Sequence, residues 1–297
     1  RFDLEIHDVS EIGAKSEFGV FKNCVAAGGK IRGIAAKGCV DFTRKQIDEL
    51  TAYVAKYGSK GLVWMRVKEN DEVETQVGKF FTTEQLNELR DAVGAKCGDM
   101  MFFIAGPEKV AATAMGQLRL EVARIKGLRD PKKREFVWIT EFPMFEYSEE
   151  EDRFVAMHHP FTAPRDEDLD KLVSEPQNAY AKAYDLVLNG NEVGGGSIRI
   201  NNPDIQQKMF NALGFTQEEA YAKFGFLLDA FKYGAPPHGG FAFGLDRLVM
   251  LMLNCNSIRD VIAFPKVASS AELMTASPGA VDNAQLEELS IALKAEK

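Results

Sequence analysis

The chain has 297 residues, 45% of them apolar and 27% charged, and a net charge of −8. That is the balance of a soluble globular protein long enough to bury a sizeable core, as one large domain or two ordinary ones. It excludes a protein that coats nucleic acid through bulk positive charge, although Arg119, Arg124, Lys126, Arg129, Lys132, Lys133 and Arg134 offer one local basic surface.

No signal peptide and no membrane-length apolar run is visible, so no membrane partner is expected. Cys24, Cys39, Cys97 and Cys255 make no C-x-x-C pair and no zinc-like spacing with the four histidines. Buried reduced thiols in a cytoplasmic protein are the expectation. The chain begins at Arg1 in what reads as the middle of a domain, as a piece of a longer protein would.

Residues 18–126 read as a compact alternating unit. Stretches 18–27 and 30–36 are strand-like and joined near Gly28-Gly29. A helix follows, capped by Thr43 with Gln46 three residues on; Ile47, Leu50 and Val54 mark its apolar face and Gly58 its end. Residues 61–68 form a strand, Thr82 and Gln85 repeat the capping signature, and residues 100–105 form a buried strand. Pro107 opens a long helix that runs to Gly127. This order suggests an α+β sandwich with helices on one face of a mixed sheet, and a recognition or spacer role.

From residue 136 the grain changes. A strand over 136–142 is followed by a hairpin with the acidic tip Glu146, Glu149, Glu150, Glu151 and Asp152, whose second strand leads into Met157-His158-His159-Pro160-Phe161. Helices are expected over 203–213, capped by Asn202, and 217–233, capped by Thr216 with Glu219.

Two segments carry chemistry. Asn189-Gly190 between apolar runs signals a two-residue hairpin. With that turn, Val187 pairs with Glu192 and Asp185 with Gly194. Asp185 and Glu192 then lie diagonally on one face with Cβ atoms roughly 7 Å apart. Carboxylates so placed repel unless a cation lies between them, which makes a shared Mg²⁺ plausible. In this register Ser197 and Arg199 fall on the other face and join the carboxylates only if the glycine run Gly194-Gly195-Gly196 makes a bulge.

The second segment, Gly239-Gly240-Phe241-Ala242-Phe243-Gly244-Leu245-Asp246-Arg247, reads as a strand, a tight turn and a helix with arginine in its first turn. Arginine opposes the positive end of the helix dipole. The misfit disappears if a polyphosphate sits at the helix start; a solvent-facing arginine is the competing reading. His158-His159 is weaker taken alone, His238 reads as a packed or loop histidine, and no Walker or dinucleotide fingerprint is present.

Together these segments resemble the C-terminal part of the bacterial-type aspartyl-tRNA synthetases, class II ligases. Residues 239–251 are similar to the family's third class-defining motif, 157–161 to its histidine loop, and 192–199 to its strand for ATP, metal and aspartate. The resemblance implies an antiparallel class II catalytic core, of which residues 127–297 are the C-terminal half and 1–17 a residual segment, with an inserted α+β GAD domain over 18–126. It implies that Gly244, Leu245, Asp246 and Arg247 contact a bent ATP, and that Glu192 binds ATP through Mg²⁺, aided by Asp185 and Ser197. Arg199 would hold the side-chain carboxylate of L-aspartate, and His158 with His159 would close over that amino acid. Glu192, Arg199 and Arg247 are thus the expected catalytic residues.

The implied reaction is attack of the aspartate carboxylate on the α-phosphate of ATP, then transfer to the 3′ end of aspartate tRNA, with asparagine tRNA left open as a second acceptor. A homodimer is implied for the full-length protein. The family's first two motifs and anticodon-binding barrel are not found and are expected upstream of Arg1, so this chain alone is expected to bind ATP weakly and form no adenylate. A non-catalytic module that binds tRNA or a protein, and an asparagine synthetase that never meets tRNA, are the alternatives.

Overall fold

The run Met100-Met101-Phe102-Phe103-Ile104 has no polar side, and a strand of that kind must be covered on both faces. In the computed structural model, which describes residues 2–130 and 132–294, it is the centre of a sheet. The described residues divide into two compact units, one up to Lys133 and one from Arg134 onward.

In the first unit the strands are β1 (His7–Asp8), β2 (Lys30–Ala36), β3 (Val63–Val67), β4 (Val73–Glu74) and β5 (Met100–Gly106), in the order β1-β2-β5-β3-β4. Every pairing is antiparallel, where a mixed sheet was expected. The helices are α1 (Ser10–Ala14), α2 (Gly19–Ala26), α3 (Arg44–Ala55), α4 (Thr83–Ala92) and α5 (Glu108–Ile125).

Helices cover both faces rather than one. Phe102 and Ile104 pack with Ile47 and Leu50 of α3 and with Ala114 and Leu118 of α5. Met101 and Phe103 pack with Phe21 of α2 and Leu89 of α4 on the other side. The capping boxes at Thr43–Gln46 and Thr82–Gln85 are both formed, each satisfying helix N–H groups that would otherwise be unpaired.

The expected strand at 18–27 is instead α2. Phe18, Phe21 and Val25 lie on its inner side while Val20 is exposed, which is helical and not alternating spacing. Residues 7–14, expected to lie outside this unit, join it: β1 pairs with β2, and Val9 is buried. Within the basic run Arg119 donates to the Leu4 carbonyl, Arg124 pairs with Glu121 and Lys126 donates to the Gly38 carbonyl, while Arg129 and Lys132 are exposed. Of the free cysteines only Cys39 is buried, which pushes its thiol pKa up to about 11; Cys97 is exposed.

The second unit is built on β6 (Phe136–Ile139), β9 (Ala183–Leu188), β10 (Asn191–Ile198) and β11 (Gly239–Phe243), in the antiparallel order β11-β10-β9-β6. The acidic hairpin is β7 (Phe145–Ser148) with β8 (Arg153–Ala156). Around them lie α6 (Lys171–Ser174), α7 (Pro203–Ala212), α8 (Gln217–Lys232), α9 (Leu245–Met252) and α10 (Asn283–Glu288). Asn202 caps α7 and the Thr216–Glu219 box caps α8, as expected. Among the described residues no helix is long and apolar enough to cross a membrane.

Candidate nucleotide and amino-acid site

Asn189 and Gly190 both take positive φ, 50° and 84°, the combination a type I′ hairpin turn requires. Leu188 pairs with Asn191 and Val187 with Glu192, as the sequence implies. The register then shifts between Glu192 and Gly194, so that Leu186 faces Gly194 and Asp185 faces Gly195 rather than Gly194. The extra residue is Val193, whose side chain is buried and whose carbonyl accepts the Gly244 N–H at 2.9 Å.

A one-residue bulge moves everything beyond it to the opposite face. Glu192, Asp185 and Ser197 therefore share one face of the sheet, with Arg199 next in the alternation. The unbulged register would have set the acids apart from Ser197 and Arg199.

The glycine run fits this register position by position. On the site face, a Cβ at Gly195 would strike the Asp185 carboxylate, so the missing side chain is the space Asp185 uses. On the reverse face, a Cβ at Gly194 would come within 2.7 Å of the Phe241 ring, and one at Gly196 would overlap the Gly240 carbonyl. That reverse face is aromatic: the Trp138 ring lies 5.6 Å from Phe241 and 6.1 Å from Tyr184, and Phe241 lies 4.8 Å from Phe243.

Arg247 lies in the first turn of α9, behind Gly244. Its Nη1 donates to the Glu192 carbonyl at 2.6 Å and lies 3.8 Å from Glu192 Oε2. The arginine that opposes its helix dipole is thus answered in part by Glu192. Leu245 and Asp246 precede it in the same turn, Leu245 exposed.

The histidine loop is tied to the far end of β10. Ala163 donates to the Ile198 carbonyl at 2.8 Å and Ile200 to the Phe161 carbonyl at 2.9 Å, so residues 161–163 run beside 198–200. Arg199 donates its backbone N–H to the His238 carbonyl at 2.9 Å. Among the described residues no carboxylate pairs with the Arg199 guanidinium and no basic side chain pairs with the Asp185 carboxylate.

His159 stands near Arg199. Partial desolvation of its ring, and then the positive charge of Arg199, lower its pKa below the ordinary histidine value. Its Nδ1 accepts the Phe161 N–H at 3.2 Å, which fits a neutral ring protonated on Nε2. His158 packs edge-on against Phe142 with ring centres 4.9 Å apart.

Ser197 is buried, and its hydroxyl lies 3.5 Å from that of Thr162. Among the described residues no three His, Cys, Asp or Glu side chains are grouped to hold a metal ion. The donor set nonetheless suits a hard cation bound jointly with phosphate oxygens, because Asp185 and Glu192 are hard oxygen ligands on one face.

Three residues that hold this site drew no functional reading from the sequence. Thr162 lies under Ser197, Gln206 donates to the Pro160 carbonyl at 2.9 Å, and His238 offers its backbone to Arg199. Only the chain reversal Pro236-Pro237-His238 carried any local signal.

Residues 10–268 match the family described as tRNA synthetases class II (D, K and N). An aspartate–tRNA ligase of Staphylococcus carnosus is 53% identical over 99% of this chain and 50% of its own length. An aspartate–tRNA(Asp/Asn) ligase of Heliobacterium modesticaldum is 55% identical over 99% of this chain and 48% of its own. The chain spans about half the length of the curated relatives it matches. A solved aspartyl tRNA synthetase from Entamoeba histolytica is 25% identical over 53% of this chain and 26% of that one, with a TM-score of 0.36, too low to carry the fold assignment. On the family match and the residues gathered by the bulge, the chain belongs to the class II tRNA synthetases of the D, K and N group.

Proposed function

We propose that this chain carries the ATP-, metal- and aspartate-handling face of an aspartate–tRNA ligase. The observation that carries the reading is the bulge at Val193, which sets Glu192, Asp185 and Ser197 on one face with Arg247 against Glu192. The identity to aspartate–tRNA ligases supports it over the whole chain.

In this reading Arg247, with Gly244, Leu245 and Asp246, receives the nucleotide; its planar fork suits a phosphate oxygen pair or a stacked base. Asp185 and Glu192 would hold Mg²⁺, with the Ser197 hydroxyl beside them, and the ion would offset phosphate charge. Arg199, free of any acid partner among the described residues, would take the aspartate side-chain carboxylate in bidentate fashion. His159, neutral near pH 7, can approach Arg199 and close over the amino acid without adding a second repelling charge.

The site offers arginines and carboxylates. That suits in-line attack of the aspartate carboxylate on the α-phosphate, where orientation and charge neutralisation do the catalysis. Transfer to aspartate tRNA would follow. Relatives named for aspartate tRNA and for both tRNAs match at nearly equal identity, 53% and 55%. That supports placing the choice of tRNA outside these residues. The first unit is proposed as the inserted GAD domain, and the full-length enzyme as a cytoplasmic homodimer.

The test is aspartate-dependent exchange of pyrophosphate into ATP, by a protein joining this chain to the preceding half of a relative. Exchange with aspartate and not asparagine is expected, with none from the 297-residue chain alone. Exchange driven by another amino acid, or none with a folded joined protein, overturns the reading.

A further inference from the structure

His159 to Thr162 form a tight turn, closed by the Thr162 N–H on the His159 carbonyl at 2.9 Å, with Pro160 and Phe161 at its centre. Proline suits the second position of such a turn, and the φ of Phe161 lies outside the positive range, as the type I form requires. The peptide unit that joins Pro160 to Phe161 is gripped at both ends by side chains. Its carbonyl accepts from Gln206 Nε2 at 2.9 Å, and its N–H donates to His159 Nδ1 at 3.2 Å.

The two gripping residues differ in what holds them. Gln206 is 3% exposed and lies in the first turn of α7, where its own N–H meets the Asn202 carbonyl at 3.0 Å. A carbonyl can only accept, so the end of the carboxamide at Pro160 is the NH₂. The other end, Oε1, is buried and receives no hydrogen bond from any described residue, which is costly. An apolar side chain of similar length would avoid that cost, so stability alone is a poor reason for glutamine here. His159 is exposed, and its ring rests on that of Phe161 with centres 5.4 Å apart.

We infer that Gln206 is a positioning residue for His159: by holding the Pro160 carbonyl it sets the tilt of the Pro160–Phe161 peptide, and the N–H of that peptide sets the tautomer and orientation of the histidine ring. A full flip of the peptide would need positive φ at Phe161, which a bulky residue resists. Smaller rotations stay open, and a hydrogen bond weakens steeply as it leaves its axis. With Nδ1 kept as acceptor the proton stays on Nε2, which leaves that N–H as the donor for a bound carboxylate. One segment thereby fixes the loop and the arginine together, since Ile200, next to Arg199, donates to the Phe161 carbonyl at 2.9 Å and Gln206 follows six residues later. The consequence for aspartate rests on the reading of the site proposed above.

The test uses the deuterated 297-residue chain with ¹⁵N-labelled histidine and phenylalanine. In the unaltered chain a nitrogen–nitrogen coupling across the bond from Phe161 to His159 Nδ1 is expected, with ring shifts of the Nε2–H tautomer. Gln206→Met keeps the length and removes the donor. It is expected to reduce the coupling by about half or more and to move the ring shifts towards a mixture of tautomers. The unfolding midpoint should change little, because one hydrogen bond and one unpaired buried acceptor are lost together. Gln207→Ala, at a side chain that donates to Asn211 on its own helix at 2.9 Å, should leave the coupling as it was. Should Gln206→Met not fold, Gln206→Asn, one methylene too short to reach Pro160, is expected to give the same loss. A missing coupling in the unaltered chain, or a coupling that survives both substitutions at Gln206, overturns the inference. In the joined protein described above, Gln206→Met is expected to raise the aspartate KM about tenfold and leave that of ATP unchanged. A lost coupling with an unmoved aspartate KM would uphold the positioning and count against the reading of the site, so the two fail separately.

Discussion

Arg247 and Glu192 are joined twice: the guanidinium donates to the glutamate's main-chain oxygen at 2.6 Å and lies 3.8 Å from its carboxylate. The first contact does not depend on the side chain of Glu192, so Arg247 remains anchored to the strand with a partly exposed side chain. Arg247→Lys keeps the charge but loses the planar fork. Mg-ATP affinity, measured by titration calorimetry, is expected to fall about tenfold or more, the worth of a lost charge-assisted hydrogen bond. An unchanged affinity would separate Arg247 from the nucleotide.

The glycine run makes a stability prediction with its own control. Gly196→Ala drives a Cβ into the backbone of Gly240, which cannot yield without parting β10 from β11. A loss of about 3 kcal/mol or more in urea unfolding is expected, at the upper end of overpacking costs. Gly240→Ala meets nothing within 4 Å and should change stability by only about 0.5 kcal/mol. Equal costs at the two positions would contradict the register.

The neighbourhood of His159 and Arg199 can be read by titration. Burial of the ring comes first and the Arg199 charge second in lowering the His159 pKa. Arg199→Met should therefore raise that pKa partway towards about 6.5, followed by the ring resonances in NMR. A histidine with a depressed folded pKa binds its proton more readily in the unfolded chain. Its contribution is thus intact above the unfolded pKa and lost as pH falls from about 6.5 towards the folded pKa. The unfolding midpoint should drop over that range, and less steeply in His159→Gln. An Arg199→Met variant with an unmoved His159 pKa would place the two apart.

Local signals were legible in the sequence and long-range ones were not. The three capping boxes at Thr43, Thr82 and Thr216 and the Asn189-Gly190 turn depend on residues within four positions, and all form. The bulge at Val193 does not, since it is stabilised by a hydrogen bond from Gly244, distant in sequence. Without it, Asp185 is paired with the wrong glycine, and Ser197 and Arg199 fall on the wrong face. In the first unit helices were expected on one face of the sheet, although the apolar run at residues 100–104 has no polar side to leave uncovered. The Phe18, Phe21 and Val25 spacing likewise held the helix signal in a segment whose apolar content suggests a strand.

The proposed function requires Asp185, Glu192, Arg199 and Arg247 to meet one nucleotide, its aspartyl group and one metal ion. The most direct measurement is a crystal structure of the full-length protein carrying this chain, with Mn²⁺ and the sulfamoyl analogue of aspartyl-adenylate. The expected result is an anomalous manganese peak within coordination distance of Asp185 or Glu192, the aspartyl carboxylate on Arg199, and the adenylate against Arg247. Manganese bound away from both acids, or an analogue that leaves Arg199 and Arg247 untouched, contradicts it.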